Sequence, residues 1–226
     1  MKTAENTSTY EGISTIYAKG ASAYAKTPGL YVLASSNPGK IAEMREILSV
    51  YGINMTTKQE LGVDIDVAET GDTFAENAAL KATAICKASG LPAIADDSGL
   101  AVDALGGAPG LNTSSFGGEG LDSEGRYNYL LSIMDGVEQR GAKFVSTIVC
   151  AFPDGSLITA EGTCGGEIAP APRGSSGFGY DPVFTPAGMD MTMAELPPGE
   201  KNKISHRGKA LRQFTGLLQN RMSNIQ

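Results

Sequence analysis

The sequence contains few of the residues that build disulfide frameworks, zinc sites and membrane spans. It has one histidine and three cysteines, Cys86, Cys150 and Cys164, and none of these has CxxC or Cys/His spacing. An odd number of widely spaced cysteines is typical of reduced thiols in a cytosolic protein. No apolar run approaches the roughly 20 residues of a membrane helix, and the first residues lack a signal-peptide pattern. We therefore expect a cytoplasmic protein without a membrane partner.

Positive charge is also scarce. The chain carries 25 acidic and 18 basic residues, which gives a net charge of −7. Because nucleic-acid backbones select basic surfaces, this balance argues against stable nucleic-acid binding. A small anionic substrate remains compatible with it, since a few local cations and a metal ion can hold a triphosphate on an acidic protein.

The chain divides into two segments by composition. Residues 1–28 are rich in threonine, serine, alanine and tyrosine and have weak periodicity, so we expect an extension that takes little part in the chemistry. Residues 29–226 are expected to form one domain. Their first half predicts, in order, a strand at 30–34, a helix capped by Asn37, a helix from Thr73 to Gly90, a strand at 92–96, a turn at 97–99 and a helix around 127–134.

The second half begins with a hairpin signal. Residues 143–152 and 157–164 are rich in β-forming side chains and are joined by a Pro-Asp-Gly-Ser turn. A last helix is predicted to begin near Ser205. Because strand–helix alternation gives way to a hairpin, the order favours an α/β fold with a mixed central sheet flanked by helices.

The segment at residues 35–40 has the features of an anion-binding loop. A predicted strand ends there and a helix begins, and the unpaired N–H groups and dipole of a helix start favour an anion. An ordinary capped helix explains the pattern equally well, and the Walker A sequence is absent. The candidate phosphate-binding groups are the hydroxyls of Ser35 and Ser36, the amide of Asn37 and the ammonium of Lys40, in a loop that also contains Pro38 and Gly39.

Acidic residues provide a second candidate feature. Asp96 and Asp97 follow an apolar strand and precede Ser98, and ligands bind at strand ends in α/β sheets. Since neighbouring strand residues point to opposite faces, we expect only one of the two carboxylates to enter a site and the other to brace it. That carboxylate can bind Mg²⁺ or activate a water molecule. A turn stabilised by the aspartates is the alternative.

Glu69 lies just upstream of the predicted second helix. It is interpreted either as a second metal ligand or as a solvated loop acid. Asn77 and Lys81 are four residues apart on that helix and therefore share a face, although exposure to solvent explains them equally well.

A compact basic cluster lies near the C-terminal end of an otherwise acidic chain. It contains Lys201, His206 and Arg207, and Ser205 places the last two in the first turn of the final helix, where the dipole disfavours cations. An anionic or keto ligand would resolve that conflict, and a basic surface patch is the alternative.

Glycines surround two aromatic residues at 177–182. Glycine lets the backbone approach a ligand closely, and an aromatic face can stack on a purine. The alternative is a turn in which Phe178 and Tyr180 fill the core.

Five motifs occur in one order along the chain: Ser-Ser-Asn-Pro-Gly-Lys (35–40), Glu-Thr-Gly-Asp-Thr-Phe-Ala-Glu-Asn-Ala (69–78), Ala-Asp-Asp-Ser-Gly-Leu (95–100), Phe-Gly-Tyr-Asp-Pro (178–182) and Ile-Ser-His-Arg-Gly-Lys-Ala-Leu (204–211). Together they closely resemble the inosine triphosphate pyrophosphatase family. The resemblance covers residues 30–218 and implies a two-lobed fold with a substrate cleft, usually a homodimer. It also implies Mg²⁺-dependent hydrolysis of inosine, deoxyinosine and xanthosine triphosphates to the monophosphate and pyrophosphate.

The resemblance also implies a role for individual positions. Residues 35–40 match the loop that holds the triphosphate, Asp97 matches the catalytic carboxylate and magnesium ligand, and Ser98 matches a substrate contact. Glu69 lies in the region that supplies a second metal ligand. Asp64 and Asp66 are close to it in sequence, so the resemblance does not fix which of these acids matches that ligand. The positions that match base and nucleotide recognition are Phe178, Gly179, Tyr180, Asp181, Lys201, His206 and Arg207.

One motif departs from the family pattern. After Pro109-Gly110 the family usually has Ser-Ala-Arg-aromatic, whereas Ser115 stands here in place of the arginine. If that arginine supports phosphate binding or the subunit contact, we expect weaker affinity or a weaker dimer. Two alternative functions remain open: a pyrophosphatase for modified pyrimidine nucleotides, and a nucleotide-binding protein without turnover.

Overall fold

The structure is a computed structural model that describes residues 29–224. Within that range the chain forms six strands and five α-helices. The strands are β1 (Leu30–Leu33), β2 (Asn54–Thr57), β3 (Ala93–Val102), β4 (Gly141–Ala151), β5 (Leu157–Ile168) and β6 (Phe184–Pro186). The helices are α1 (Pro38–Ser49), α2 (Phe74–Ser89), α3 (Ser123–Ile133), α4 (Pro198–Ile204) and α5 (His206–Ser223). The expected extension at residues 1–28 lies outside the described residues.

All six strands belong to one sheet in the order β2-β1-β3-β4-β5-β6. β1 pairs in parallel with both β2 and β3, whereas the pairs from β3 to β6 are antiparallel. β4 and β5 form the predicted hairpin, in which Ala151 pairs with Leu157 across the turn. The predicted α/β class with a mixed sheet is therefore confirmed.

Local capping signals place the helix starts. The Asn37 side chain accepts a hydrogen bond from the Lys40 amide at 3.2 Å, and Thr73 and Glu76 form a reciprocal capping box at the start of α2. Ser205 caps α5 by accepting from the Gly208 amide at 3.0 Å. Each cap satisfies backbone groups that a helix end leaves unpaired. The predicted starts of these three helices are confirmed.

The turn predicted at residues 97–99 is wrong, because β3 runs through it without interruption. Asp97, Ser98 and Gly99 pair with consecutive residues of β4. This pairing with a long neighbouring strand overrides the local turn preference of the Asp-Asp-Ser-Gly sequence. The glycine serves close packing instead, since a Cβ at Gly99 would collide with the Gly110 carbonyl oxygen and the Phe74 ring.

Three hydrophobic clusters surround the sheet, and they divide it into two lobes. In the first lobe, one cluster packs α1 and α5 against the sheet through residues such as Met44 and Phe214, and another packs α2 on the other face through Ile85. The second lobe has its own cluster, which includes Leu130 and Phe184. β3 contributes to both lobes, with Ile94 in the first and Leu100 in the second. Residues 96–98 therefore lie where the two cores meet.

Candidate active site

Asp96 is a fully buried anion held by cations from two distant parts of the chain. Its carboxylate lies 2.8 Å from Lys40 Nζ and 3.0 Å from Arg207 Nη2, and it also accepts hydrogen bonds from Ser98 and Ser146. Burial opposes ionisation, but the charges of Arg207 and Lys40 hold the pKa of Asp96 well below its usual range. Asp96 thus links the first turn of α1 to the start of α5.

Asp97 points to the other face of the sheet, toward α2. Its Oδ1 atom accepts from Lys81 Nζ at 2.8 Å, and the same ammonium lies 3.2 Å from Glu69 Oε1. Burial raises the pKa of the Asp97 carboxyl above its ordinary value, although Lys81 acts in the opposite direction. A carboxylate with a raised pKa is a better proton acceptor, so Asp97 is the more basic of the two adjacent acids.

The basic residues near the C-terminal end are buried rather than spread over the surface. Lys201 is 4% exposed and Arg207 is 2% exposed, so the surface-patch alternative is wrong for them. Glu43 on α1 accepts from Lys201 Nζ and from Arg207 Nη1, each at 2.6 Å, and Asp181 also pairs with Lys201. Protein carboxylates therefore already neutralise the charge that the dipole of α5 disfavours.

His206 is neutral and has an unused ring nitrogen. Its imidazole stacks on the Phe144 ring with centroids 4.6 Å apart and 13° between the planes. Burial, followed by the neighbouring charge of Arg207, lowers the pKa of His206 well below its usual value. Neither His206 Nδ1 nor Arg207 Nε has a hydrogen-bond partner. Because buried polar atoms are normally paired, these two atoms are an exception in the wall of the larger cavity, which His206 and Arg207 line.

The aromatic residues of the glycine-rich loop have different environments. Tyr180 is 3% exposed within the core of the second lobe, and its hydroxyl donates to the Thr113 carbonyl at 3.1 Å. Phe178 instead lies against Gly39, with Lys201 Nζ 5.0 Å and the Arg207 guanidinium 5.5 Å from its ring centroid. The core-filling interpretation therefore holds for Tyr180, while Phe178 presents a ring to the cleft.

Two adjoining cavities occupy the cleft between the lobes. The larger, of about 440 Å³, is lined by Phe178, His206 and Arg207, and the smaller, of about 290 Å³, by Ser35, Glu69 and Lys81. Both are lined by Asn37, Lys40 and Ser98. Their combined size falls in the range of small-molecule sites. The remaining predicted residues that line one or other cavity are Ser36, Pro38, Gly39, Gly179, Tyr180, Asp181 and Lys201.

Four charged residues at the cleft or paired with its lining had no role assigned from the sequence. The only sequence feature that pointed to Lys81 was its spacing of four residues from Asn77. The two side chains have different partners, because Asn77 accepts a hydrogen bond from the Gly71 amide at 2.8 Å. Glu43 gave no signal, because its partner Lys201 is 158 positions away. Lys58 and Arg126 also line the cleft, whereas Ser115 is exposed and lines neither of these cavities.

The two acids that pair with Lys81, Glu69 and Asp97, can contribute to a magnesium site but cannot complete one. In the part of the chain that the structure describes, no group of three or more His, Cys, Asp or Glu side chains is arranged around a common metal position. Glu69 and Asp97 nevertheless share one ammonium ion, so their oxygens already face a cationic position. Mg²⁺ commonly takes one or two carboxylates and completes its shell with water and substrate phosphate. The residues present fit that arrangement.

The chain is similar to known proteins over most of its length. A Ham1 family model matches residues 31–217. The dITP/XTP pyrophosphatase of Synechocystis sp. is 48% identical over 191 residues, which cover 82% of this chain and 95% of that protein. That of Bacillus subtilis is 44% identical over 190 residues, with 83% and 96% covered. The solved structure of the Staphylococcus aureus Ham1 protein matches with a TM-score of 0.76 and 40% identity, and the match covers 85% of this chain and 99% of that one.

These similarities confirm the family resemblance that the five motifs carry. A Ham1 protein from Coxiella burnetii also matches, with a TM-score of 0.76 and 42% identity over 84% of this chain and 98% of that one. Sequence identity of 40–48% over nearly whole relatives and a shared three-dimensional fold lead to one conclusion: the chain belongs to the Ham1 family.

Proposed function

We propose that this protein is a nucleoside triphosphate pyrophosphatase that removes deaminated purine nucleotides. Its substrates would be inosine, deoxyinosine and xanthosine triphosphates, and its products the monophosphate and pyrophosphate. The relatives named dITP/XTP pyrophosphatases support this choice of substrate. The observation that carries the proposal is the position of Asp97, which has a raised pKa and pairs with Lys81; Lys81 lines the smaller cavity together with Glu69 and the loop at residues 35–40.

In the proposed mechanism, the protein positions the triphosphate and a water molecule and accepts one proton. Ser35, Asn37 and Lys40 hold phosphate oxygens, and Asp97 accepts the proton of the water that attacks the α-phosphorus. The bond to the bridging oxygen breaks on the opposite side, and pyrophosphate leaves. Lys81 lies within hydrogen-bonding distance of the Asp97 carboxylate and keeps it oriented. Phosphoryl transfer needs mainly such positioning and charge stabilisation.

Mg²⁺ is the proposed cofactor, with Asp97 and Glu69 as its protein ligands. When bound, the ion would neutralise phosphate charge and orient the leaving group. Removal of divalent ions by a chelator should abolish pyrophosphate release, and added magnesium should restore it.

Base selection is proposed to occur at the other end of the cleft. His206 and Arg207 line the larger cavity, and the guanidinium of Arg207 can only donate hydrogen bonds. A 6-oxo purine offers an acceptor to such a donor. The 6-amino group of adenine offers a donor instead, which leaves buried groups unpaired and costs affinity. Phe178 would contribute a stacking surface for the base.

The assay that tests this function measures pyrophosphate release from inosine, xanthosine, guanosine, adenosine and modified pyrimidine triphosphates with magnesium present. Fast turnover of the inosine and xanthosine substrates and slow turnover of adenosine triphosphate are expected. Faster turnover of a modified pyrimidine would favour the alternative enzyme. If inosine triphosphate binds but no pyrophosphate is released, the protein is a binding protein without turnover.

We further propose a cytoplasmic homodimer. The family resemblance implies a homodimer, and the three cysteines are all unpaired and buried, which suits a reducing compartment. Sedimentation equilibrium of the purified protein at several concentrations measures the oligomeric state and would reveal a monomer if the dimer is absent.

A further inference from the structure

The positive charges expected to hold the substrate are already neutralised by the protein. Lys40, Lys81, Lys201 and Arg207 each lie within 3.2 Å of at least one carboxylate. Their partners are five acids: Glu43, Glu69, Asp96, Asp97 and Asp181. These residues give the cleft no surplus positive charge for a triphosphate. Its net attraction must come from a metal ion and from cations without acidic partners.

Lys58 is a cation of the cleft without an acidic partner among the described residues. Its Nζ donates to the backbone carbonyl of Ile65 at 2.9 Å, and within residues 29–224 it forms no ion pair. Asp66 also lines the cavity but does not pair with it. An ammonium group has three donors, so one carbonyl partner leaves two available for a ligand.

The topology brings Lys58 to the phosphate end of the cleft. It follows the last residue of β2, and β2 runs parallel to β1. The carboxyl ends of the two strands therefore meet at one edge of the sheet, where the Lys58 amide donates to the Leu33 carbonyl at 3.2 Å. Lys58 and the loop at residues 35–40 thus belong to the same ligand-binding edge.

The two cavities indicate which part of the substrate Lys58 meets. Lys58 lines the smaller cavity with Ser35 and Glu69, and it does not line the larger cavity around His206. Lys40 and Ser98 line both and therefore mark the junction between nucleotide and leaving group. We propose that Lys58 is a further substrate-binding residue that holds the pyrophosphate portion of the triphosphate. This inference rests on the proposed function.

A purely structural role for Lys58 is the competing explanation. Its bond to Ile65 ties the segment before Glu69 to the end of β2, so its loss would loosen that segment. Such loosening would lower the free energy of unfolding as well as disturb the cavity that Ile65 and Glu69 line. Direct contact with pyrophosphate would instead weaken binding of that product while the free energy of unfolding stays unchanged, so product binding and urea unfolding of each Lys58 variant together separate the explanations.

The test measures binding of pyrophosphate and of inosine monophosphate by titration calorimetry in magnesium buffer, for wild type, Lys58→Gln and Lys58→Arg. Lys58→Gln should weaken pyrophosphate binding about tenfold or more, because a charged hydrogen bond is lost, and should change inosine monophosphate binding less than about twofold. Lys58→Arg should recover most of the affinity. The matched control Lys143→Gln removes an exposed lysine of β4 and should change neither.

Unchanged pyrophosphate binding in Lys58→Gln would overturn the inference, and so would equal weakening of both products. Steady-state kinetics on inosine triphosphate give a second measure, in which Lys58→Gln should lower kcat/KM by about the same factor. If wild type itself releases no pyrophosphate from inosine triphosphate, the proposed function fails. If wild type is active and Lys58→Gln equals it, only the Lys58 inference fails.

Discussion

Asp96 and Asp97 are adjacent on β3, and the protein shifts their pKa values in opposite directions. The charges of Arg207 and Lys40 outweigh burial at Asp96 and lower its pKa, whereas burial outweighs Lys81 at Asp97 and raises it. Pairs of acids separated in this way commonly divide the work of a site between them. One therefore acts as a permanent charge that organises the cleft, and the other is suited to exchange a proton.

Asp97→Asn should lower kcat for inosine triphosphate by about a thousandfold, in the range that loss of a general base produces. Binding should persist, because the loop at residues 35–40 and the base-binding end are unchanged. Pyrophosphate release measures the first effect and calorimetric titration of inosine triphosphate the second. A variant that retains more than a tenth of wild-type kcat would exclude Asp97 as the proton acceptor.

Asp96→Asn should instead act on stability. The change leaves Lys40 and Arg207 without one of their buried partners, and breaking a buried ion pair costs about 3–5 kcal/mol. Urea unfolding monitored by circular dichroism measures this loss. Asp154→Asn is the matched control, because Asp154 pairs with Arg221 at the exposed hairpin turn. A loss of stability no larger than that of the control would contradict the organising role of Asp96.

A fall in pH should remove the stabilisation of the folded state that ionised Asp96 provides. The folded-state pKa of Asp96 lies below its ordinary value of 3.8. The contribution of Asp96 is therefore complete above that value and disappears as pH falls toward the folded-state pKa. Unfolding free energies measured between pH 6 and about pH 3 should decline more steeply for wild type than for Asp96→Asn. Parallel pH profiles of the two proteins would show that Asp96 is not linked to folding.

The pH profile of activity should respond to Lys81. Asp97 must be ionised to accept a proton, so kcat/KM should fall as pH drops through its raised pKa. Lys81 lowers that pKa, and Lys81→Gln should therefore move the acid limb of the profile to higher pH. Lys87→Gln, which removes an exposed lysine in the last turn of α2, should leave the limb in place. An unmoved limb in Lys81→Gln would mean that another group controls it.

Gly39→Ala should impair substrate binding without unfolding the protein. An added Cβ would collide with the Phe178 ring, so the ring must shift from its place beside Lys201 and Arg207. A loss of about tenfold in kcat/KM for inosine triphosphate is expected, equivalent to a packing conflict of 1–3 kcal/mol. Gly216→Ala adds the same methyl group in α5 where no atom lies within 4 Å, and its kcat/KM should remain at the wild-type value.

Sequence reasoning was most successful where the determining interactions are local. Caps at Asn37, Thr73 and Ser205 act within three or four residues, so short patterns reveal them. The sequence of Asp97–Gly99 alone does not indicate that this segment pairs with β4. Because of that pairing, the segment forms part of a strand where a turn was predicted. The role of Glu43 depends on residues more than 150 positions away and had no local signature. The assigned catalytic and binding roles stay predictions until the variants above are measured.

The passage of β3 through both hydrophobic cores has a consequence for mutational tolerance. Ile94 anchors the strand in one lobe and Leu100 in the other, and Asp96 and Asp97 lie between them. A small change of side-chain volume at either anchor displaces the intervening backbone, because closely packed interiors transmit strain. Positions far from the cleft should therefore accept fewer substitutions than their distance suggests, and turnover should decline in such variants before the protein loses its folded structure.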